Sequence, residues 1–184
     1  MTGKILKGAH ISEQKFKELV NLFSEDLNAT QISKISRLSR ITINQYLKKI
    51  REAIAAHCEA ESPVPTIFSV SWPTSFQFGI VREGHNFFTV PITENQQSSD
   101  STDFVAIADF RGWKLFRLPA HIDANGRPVM DDVSGFWGLA KNRLHKFRGL
   151  HKSSVYLHVK ECEFRYNYRH EDLQKLLLGI LLKN

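Results

Sequence analysis

Thr42, Asn44 and Gln45 stand in one short stretch with Arg37, Arg40, Lys48 and Lys49. Amide and hydroxyl side chains bond the edges of bases, while guanidinium and ammonium groups suit phosphates. Together, on one helix and the turn before it, they offer the chemistry of double-stranded DNA recognition. A second candidate is Asp109, near the end of the apolar run Asp103–Phe110. A carboxylate at the tip of a buried strand is costly unless something pairs with it. The plain alternative is a turn aspartate that serves the backbone before Gly112. The histidines His145, His151, His158 and His170 fit no standard metal-site spacing. Cys58 and Cys162 belong to no CxxC pair, which excludes a zinc finger.

These residues need elements to place them. Phe16, Leu19, Val20 and Phe23 recur at helical spacing and predict a helix from about Ser12 to Ser24. Asn28-Ala29-Thr30-Gln31 has the form of a capping box, opening a short helix with Ile32 and Ile35 inward. Arg37-Leu38-Ser39 predicts a tight turn, and Ser39 is the candidate cap of a longer helix from about Arg40 to His57. Ile43, Leu47, Ile50 and Ile54 form the inward stripe of that helix. Thr42, Asn44, Gln45, Lys48 and Lys49 lie off the stripe. A short helix, a turn and a longer helix is the helix-turn-helix arrangement, whose last helix enters the major groove by its N-terminal part. A plain three-helix bundle with a polar face has the same pattern.

Pro63 and Pro65 mark a linker, so the sequence divides into a helix-turn-helix domain over 1–60 and a second domain over 61–184. Gln77–Val81 and Asn86–Ile92, joined by Arg82-Glu83-Gly84-His85, predict a β-hairpin. The polar stretch Thr93–Thr102 predicts a loop, and Asp103–Phe110 a short strand. Val133, Phe136, Trp137, Ala140, Leu144 and Phe147 share one helix face, with Asp131 or Asp132 as cap and Gly149 as terminator. Trp137 is expected in the core. Lys141, His145 and Arg148 line another side. Val155, Val159, Cys162 and Tyr166 mark a further helix, although Val155, Leu157 and Val159 also alternate as a strand would. The tail Asp172–Leu182 is a Leu-rich helix, apolar on most sides, which must be buried or paired with another chain.

Charge is distributed unevenly along the chain. Residues 1–58 carry ten Lys and Arg against five acids, residues 59–132 five against ten, and residues 133–184 ten against four. Two basic ends around an acidic middle suggest a polyanionic partner. Of 184 residues 42% are apolar and 24% charged, an ordinary folded composition rather than a disordered one. No apolar run approaches the roughly 20 residues of a membrane span. Met1–His10 lacks an apolar segment, so no export signal is expected, and both cysteines are expected as reduced thiols in the cytoplasm.

Several segments carry a family resemblance. Asp132-Val133-Ser134-Gly135-Phe136-Trp137-Gly138-Leu139-Ala140-Lys141-Asn142-Arg143-Leu144 and Tyr156–Asn167 with Arg169 resemble the C-terminal signature of ISXO-type insertion-sequence transposases. That signature reads roughly GIESFWxxxKxxL…YLxxxExxFRxNxR. Phe78-Gly79-Ile80-Val81-Arg82-Glu83-Gly84 is similar to the family's VFGIxxRGG hairpin, and Asp109-Phe110-Arg111-Gly112-Trp113 to its DGWxGY. Ala29-Thr30-Gln31 and Ile43-Asn44-Gln45-Tyr46 are similar to its N-terminal helices.

The resemblance implies an α/β fold: a helix-turn-helix followed by a shortened RNase H-like domain with a helical C-terminus. It also implies cut-and-join chemistry on DNA, in which acids converge on two Mg²⁺ ions about 3.5–4 Å apart. Here the sequence departs from the family. The position of the first acid offers Ser71 at best, the second has its counterpart in Asp109, and the final glutamate falls on Ser134. Asp109 is thus the remnant catalytic and metal position. Asp103, Asp123, Asp131 and Asp132 are the nearby acids available as substitutes. The expected DNA contacts are Arg37, Arg40, Thr42, Asn44, Gln45, Lys48, Lys49, Lys141, Arg143 and Arg148. The reading that follows is a catalytically degenerate, transposase-related protein that binds double-stranded DNA. The alternatives are an active Mg²⁺-dependent transposase with a rearranged acidic site, and a protein-interaction module or homo-oligomer using the Leu-rich tail.

Overall fold

In the first helix, α1 (Glu13–Ser24), Phe16, Leu19, Val20 and Phe23 all turn inward, and the Ser12 hydroxyl caps the start by accepting from Lys15 N–H. The computed structural model describes residues 11–64, 73–92, 104–118, 133–146 and 150–182. Ten elements fall within them, six helices and four strands. Residues 1–57 and 168–184 form one compact unit, residues 58–167 another. The first unit therefore takes in the C-terminal segment as well as the N-terminal helices.

The described elements of the first unit are all helices. α2 (Ala29–Ser36) opens on a capping box: Asn28 Oδ1 accepts from the Thr30 and Gln31 amides, and Gln31 Oε1 accepts from Asn28 N–H. Ile32 is fully buried, but Ile35 is 54% exposed, contrary to its expected place. Ser36, one turn beyond Ile32, takes the inward position instead. α3 (Arg40–Glu61) runs one turn longer than predicted. Ile43, Leu47, Ile50 and Ile54 are buried as its stripe, joined by Tyr46 and Ala55. α6 (Leu173–Leu182) is capped by Asp172, whose Oδ1 accepts from Lys175 N–H. It packs on α1 and buries Leu177 and Leu181. The apolar tail thus finds its partner in its own chain.

The second unit holds a four-stranded sheet of β1 (Gln77–Glu83), β2 (Asn86–Pro91), β3 (Phe104–Asp109) and β4 (Lys114–Arg117). Its order is β2-β1-β3-β4 and every pairing is antiparallel. The β1–β2 hairpin turns at Gly84 and His85, with Gly84 at φ +59°, a conformation glycine adopts without steric cost. β4 is an element the sequence pattern did not suggest, because only four residues form it and they alternate weakly.

Period-two alternation assigns the faces, except that a register shift opposite Ile80 and Val81 puts Phe104 on the face away from Ala106 and Ala108. Phe78, Ile80, Phe87, Ala106 and Ala108 are buried under α4 (Val133–His145) and α5 (Lys152–Asn167). Phe87 stacks on Phe136, and Phe78 on Tyr156. On the opposite face Val81, Phe88, Val90 and Phe104 cluster. Gly79 is required there: a Cβ on it would stand 2.3 Å from the Phe104 ring. Residues 155–159 are helical, so the strand alternative is overturned. Trp137, expected in the core, is half-buried beside Phe110, while its neighbour Phe136 is fully buried. One helix residue turns about 100°, so the two rings cannot share one inward direction. Thr93–Thr102, Asp131, Asp132, Phe147, Arg148 and Gly149 lie outside the described residues.

Candidate functional site

The turn between α2 and α3 is three residues long, and it fixes what the start of α3 presents. Arg37 ends α2 in the left-handed conformation, at φ +59°, with its N–H donating to Ser33 C=O. The Ser33 hydroxyl donates to Leu38 C=O at 2.7 Å, closing the turn from below. Ser39 then caps α3, its Oγ accepting from Thr42 N–H at 3.1 Å.

Arg37, Arg40, Asn44, Gln45, Lys48 and Lys49 are all exposed. Asn44, Gln45 and Lys48 lie within one turn of each other along α3, on the side away from its buried stripe. Lys48 has only a loose ion pair with Glu52 at 3.9 Å, and Lys49 lies over the Tyr46 ring. Thr42 is half-buried and its hydroxyl pairs with Ser39 Oγ at 2.8 Å, so the cap already engages it. From Ala29 to Arg51 the chain holds six Lys and Arg and no acid. The start of α3 thus offers cations to a polyanion, and the first acid along the helix, Glu52, is the one that meets Lys48 at 3.9 Å.

Asp109 serves the backbone. Its Oδ1 accepts from Arg111 N–H at 2.8 Å and from Gly112 N–H at 3.0 Å, which is the turn-aspartate arrangement. This turn joins β3 to β4 and carries Trp113 at φ +53°, a conformation uncommon for so bulky a residue. The Trp113 ring is held between Phe110 and His145. Ser134 is exposed and accepts from the Arg117 guanidinium. Among the described residues no three His, Cys, Asp or Glu side chains gather as a metal site. Ser71, Asp103, Asp123, Asp131 and Asp132 lie outside the described residues.

Lys141 is exposed on α4, but Arg143 is not available to DNA. It is 8% exposed and donates to Glu161 Oε1 at 2.6 Å. Arg165 Nε donates to the same oxygen at 2.9 Å. Burial forces this inward cation to find an acid, which Glu161 supplies from α5.

A second buried cluster on α5 closes the free edge of β2. Among the described residues that strand pairs only with β1, so Phe87, Thr89 and Pro91 turn their backbone groups outward. Asn167 accepts from Phe87 N–H at 2.9 Å and donates to Phe87 C=O at 2.8 Å. Glu163 Oε2 accepts from both Thr89 N–H, at 2.7 Å, and the Thr89 hydroxyl. Lys160 Nζ donates to Thr89 C=O and to Glu163, each at 2.9 Å. Pro91 has no N–H to satisfy. The residues of the Glu-x-x-Phe-Arg-x-Asn segment are therefore architectural. Their signal in the sequence was a run of charges inside an otherwise apolar helix, at the spacings i,i+3 and i,i+4.

No protein-family model matches the chain, and no solved structure matches it. Among curated proteins, an uncharacterized transposase-like protein of Haemophilus influenzae is 30% identical over 104 residues, 56% of this chain and 80% of that protein. A likeness of that extent, covering four-fifths of the relative, is a family relationship. The chain belongs to a transposase-like family.

Proposed function

We propose that this protein binds double-stranded DNA through α2, its turn and α3, acting as a helix-turn-helix, and that it does not cut the DNA it binds. The observation that carries the reading is the exposed surface of α2 and α3, rich in cations and free of acids over residues 29–51. Arg37, Arg40, Lys48 and Lys49 meet phosphates, and Asn44 and Gln45 meet base edges. The second unit is a shortened RNase H-like domain of ISXO type on the strength of its signature residues; its described strands, all antiparallel, do not supply that argument. Its lost acids, at Ser71 and Ser134, support the absence of strand transfer, and Mg²⁺ would be needed only for an active form. The setting is the cytoplasm, where bacterial DNA is reached.

The test is a titration of random-sequence duplex at several salt concentrations. The parent should show a steep salt dependence. The Lys48→Ala/Lys49→Ala double variant should bind all sequences more weakly, and its log–log salt slope should be shallower by about two. Equal affinity and slope in parent and variant would remove α3 from the interface.

A further inference from the structure

Ile41 is the second residue of α3 and is 74% exposed, more than Ile35 at 54% or Phe116 at 51%. Helix formation does not call for it, since a β-branched residue is a poorer helix former than Leu, Lys or Gln. The core does not call for it either, because Ile43, Leu47, Ile50 and Ile54 fill the inward stripe. Ile41 shares its face with Asn44, Gln45 and Lys48, at i+3, i+4 and i+7, and all are exposed. An apolar side chain is thus set among amides and cations; the first acid along this helix, Glu52, lies three turns further on and pairs with Lys48 at 3.9 Å.

That combination selects its occupant. A protein partner carries both signs of charge, whereas a surface of one sign complements a polyanion. On the major-groove edge of duplex DNA the apolar group is the C5 methyl of thymine. We propose that Ile41 packs against a thymine methyl and is a specificity-determining contact of this protein. The inference rests on the reading of α3 as the helix that enters the major groove.

The experiment uses the full chain and a pool of random-sequence duplexes, from which bound sequences are selected. The parent and Ile35→Ala should both enrich thymine at one position, and Ile41→Ala should lose that enrichment while keeping its melting temperature. The selected duplex is then made with deoxyuridine at that position, which removes the methyl and leaves base pairing unchanged. The parent should bind it about fourfold more weakly, the value of burying one methyl-sized group. Ile41→Ala should bind the two duplexes equally. No retention of the pool under low salt would overturn the DNA-binding reading and this inference together. Retention with thymine enrichment unchanged in Ile41→Ala, or a deoxyuridine penalty that persists in it, would overturn the inference alone. A self-association of the parent that Ile41→Ala abolishes, with DNA selection unaltered, would likewise assign the side chain to a protein contact and overturn it.

Discussion

Lys141 and Arg143 lie two positions apart on α4 and have opposite fates. Two residues turn a helix by about 200°, so one faces solvent and the other the interior, where Glu161 receives it. The two cysteines are also interior. Burial pushes the Cys162 thiol up to about 12, against the pull of Arg143. Burial likewise raises Cys58 well above the ordinary thiol range, with the charge of Glu163 adding to it. Both are free and buried, and the thiolate is the reactive form. A thiol-reactive chromophore at pH 8 should therefore label neither in the native protein and both after denaturation. The neighbours Phe136 and Trp137 separate in the same way. Phe136→Ala should cost about 3–5 kcal/mol, the usual loss for a buried ring. Trp137→Ala should cost about 1–2 kcal/mol, because only part of its ring has left water. Chemical denaturation that ranked them in the reverse order would move Trp137 into the core. At this scale the sequence showed residue type and periodicity but not the inward or outward sense of a cation. Arg143 reads as a DNA contact until its acid on another helix is known.

The helices with a clear stripe were the legible elements. Phe16, Leu19, Val20 and Phe23 spell α1, the Asn28–Gln31 box spells the start of α2, and Ser39 spells the start of α3. α5 is harder to read because Val155–Tyr166 is buried almost throughout, and a helix buried all round has no apolar stripe. Its role appears only when β2 is placed beside it. Glu163 is the joint between them, bonded to Thr89 on the strand and to Lys160 on the helix. Glu163→Ala would leave Lys160 charged and buried without its acid, and Thr89 N–H without its acceptor. The loss should be about 3–5 kcal/mol, as for other buried ion pairs broken from one side. The readout is the urea midpoint. Glu163→Gln keeps an acceptor for the Thr89 amide and should lose less; equal losses in the two variants would mean that charge, not the edge contact, sets the energy.

At the scale of the whole chain, the two compact units divide between His57 and Cys58, inside α3, and residues 168–184 return to the N-terminal unit. Linear sequence does not show such a return, because Leu177 and Leu181 declare that they need a partner without naming α1. The candidate chemistry divides along the same lines. The cationic surface of α2 and α3 was readable because it is local, whereas an acidic centre depends on residues brought together by folding. Asp109 and Ser134 end as a turn aspartate and a guanidinium acceptor. Purified protein incubated with linear DNA carrying the element's termini, and with Mg²⁺ or Mn²⁺, should therefore yield no nicked or joined products. Products that form with the parent and vanish with Asp109→Ala would establish a rearranged acidic site.

The closed edge of β2 has a kinetic meaning. Amide protons on an edge strand ordinarily exchange with solvent quickly, since water reaches them without any unfolding. At Phe87 and Thr89 the acceptors belong to Asn167 and Glu163, so deuterium enters only when α5 lifts away. The exchange rate of two strand amides thus measures how often a helix detaches, and it does so at a strand margin where exchange normally reports nothing but exposure.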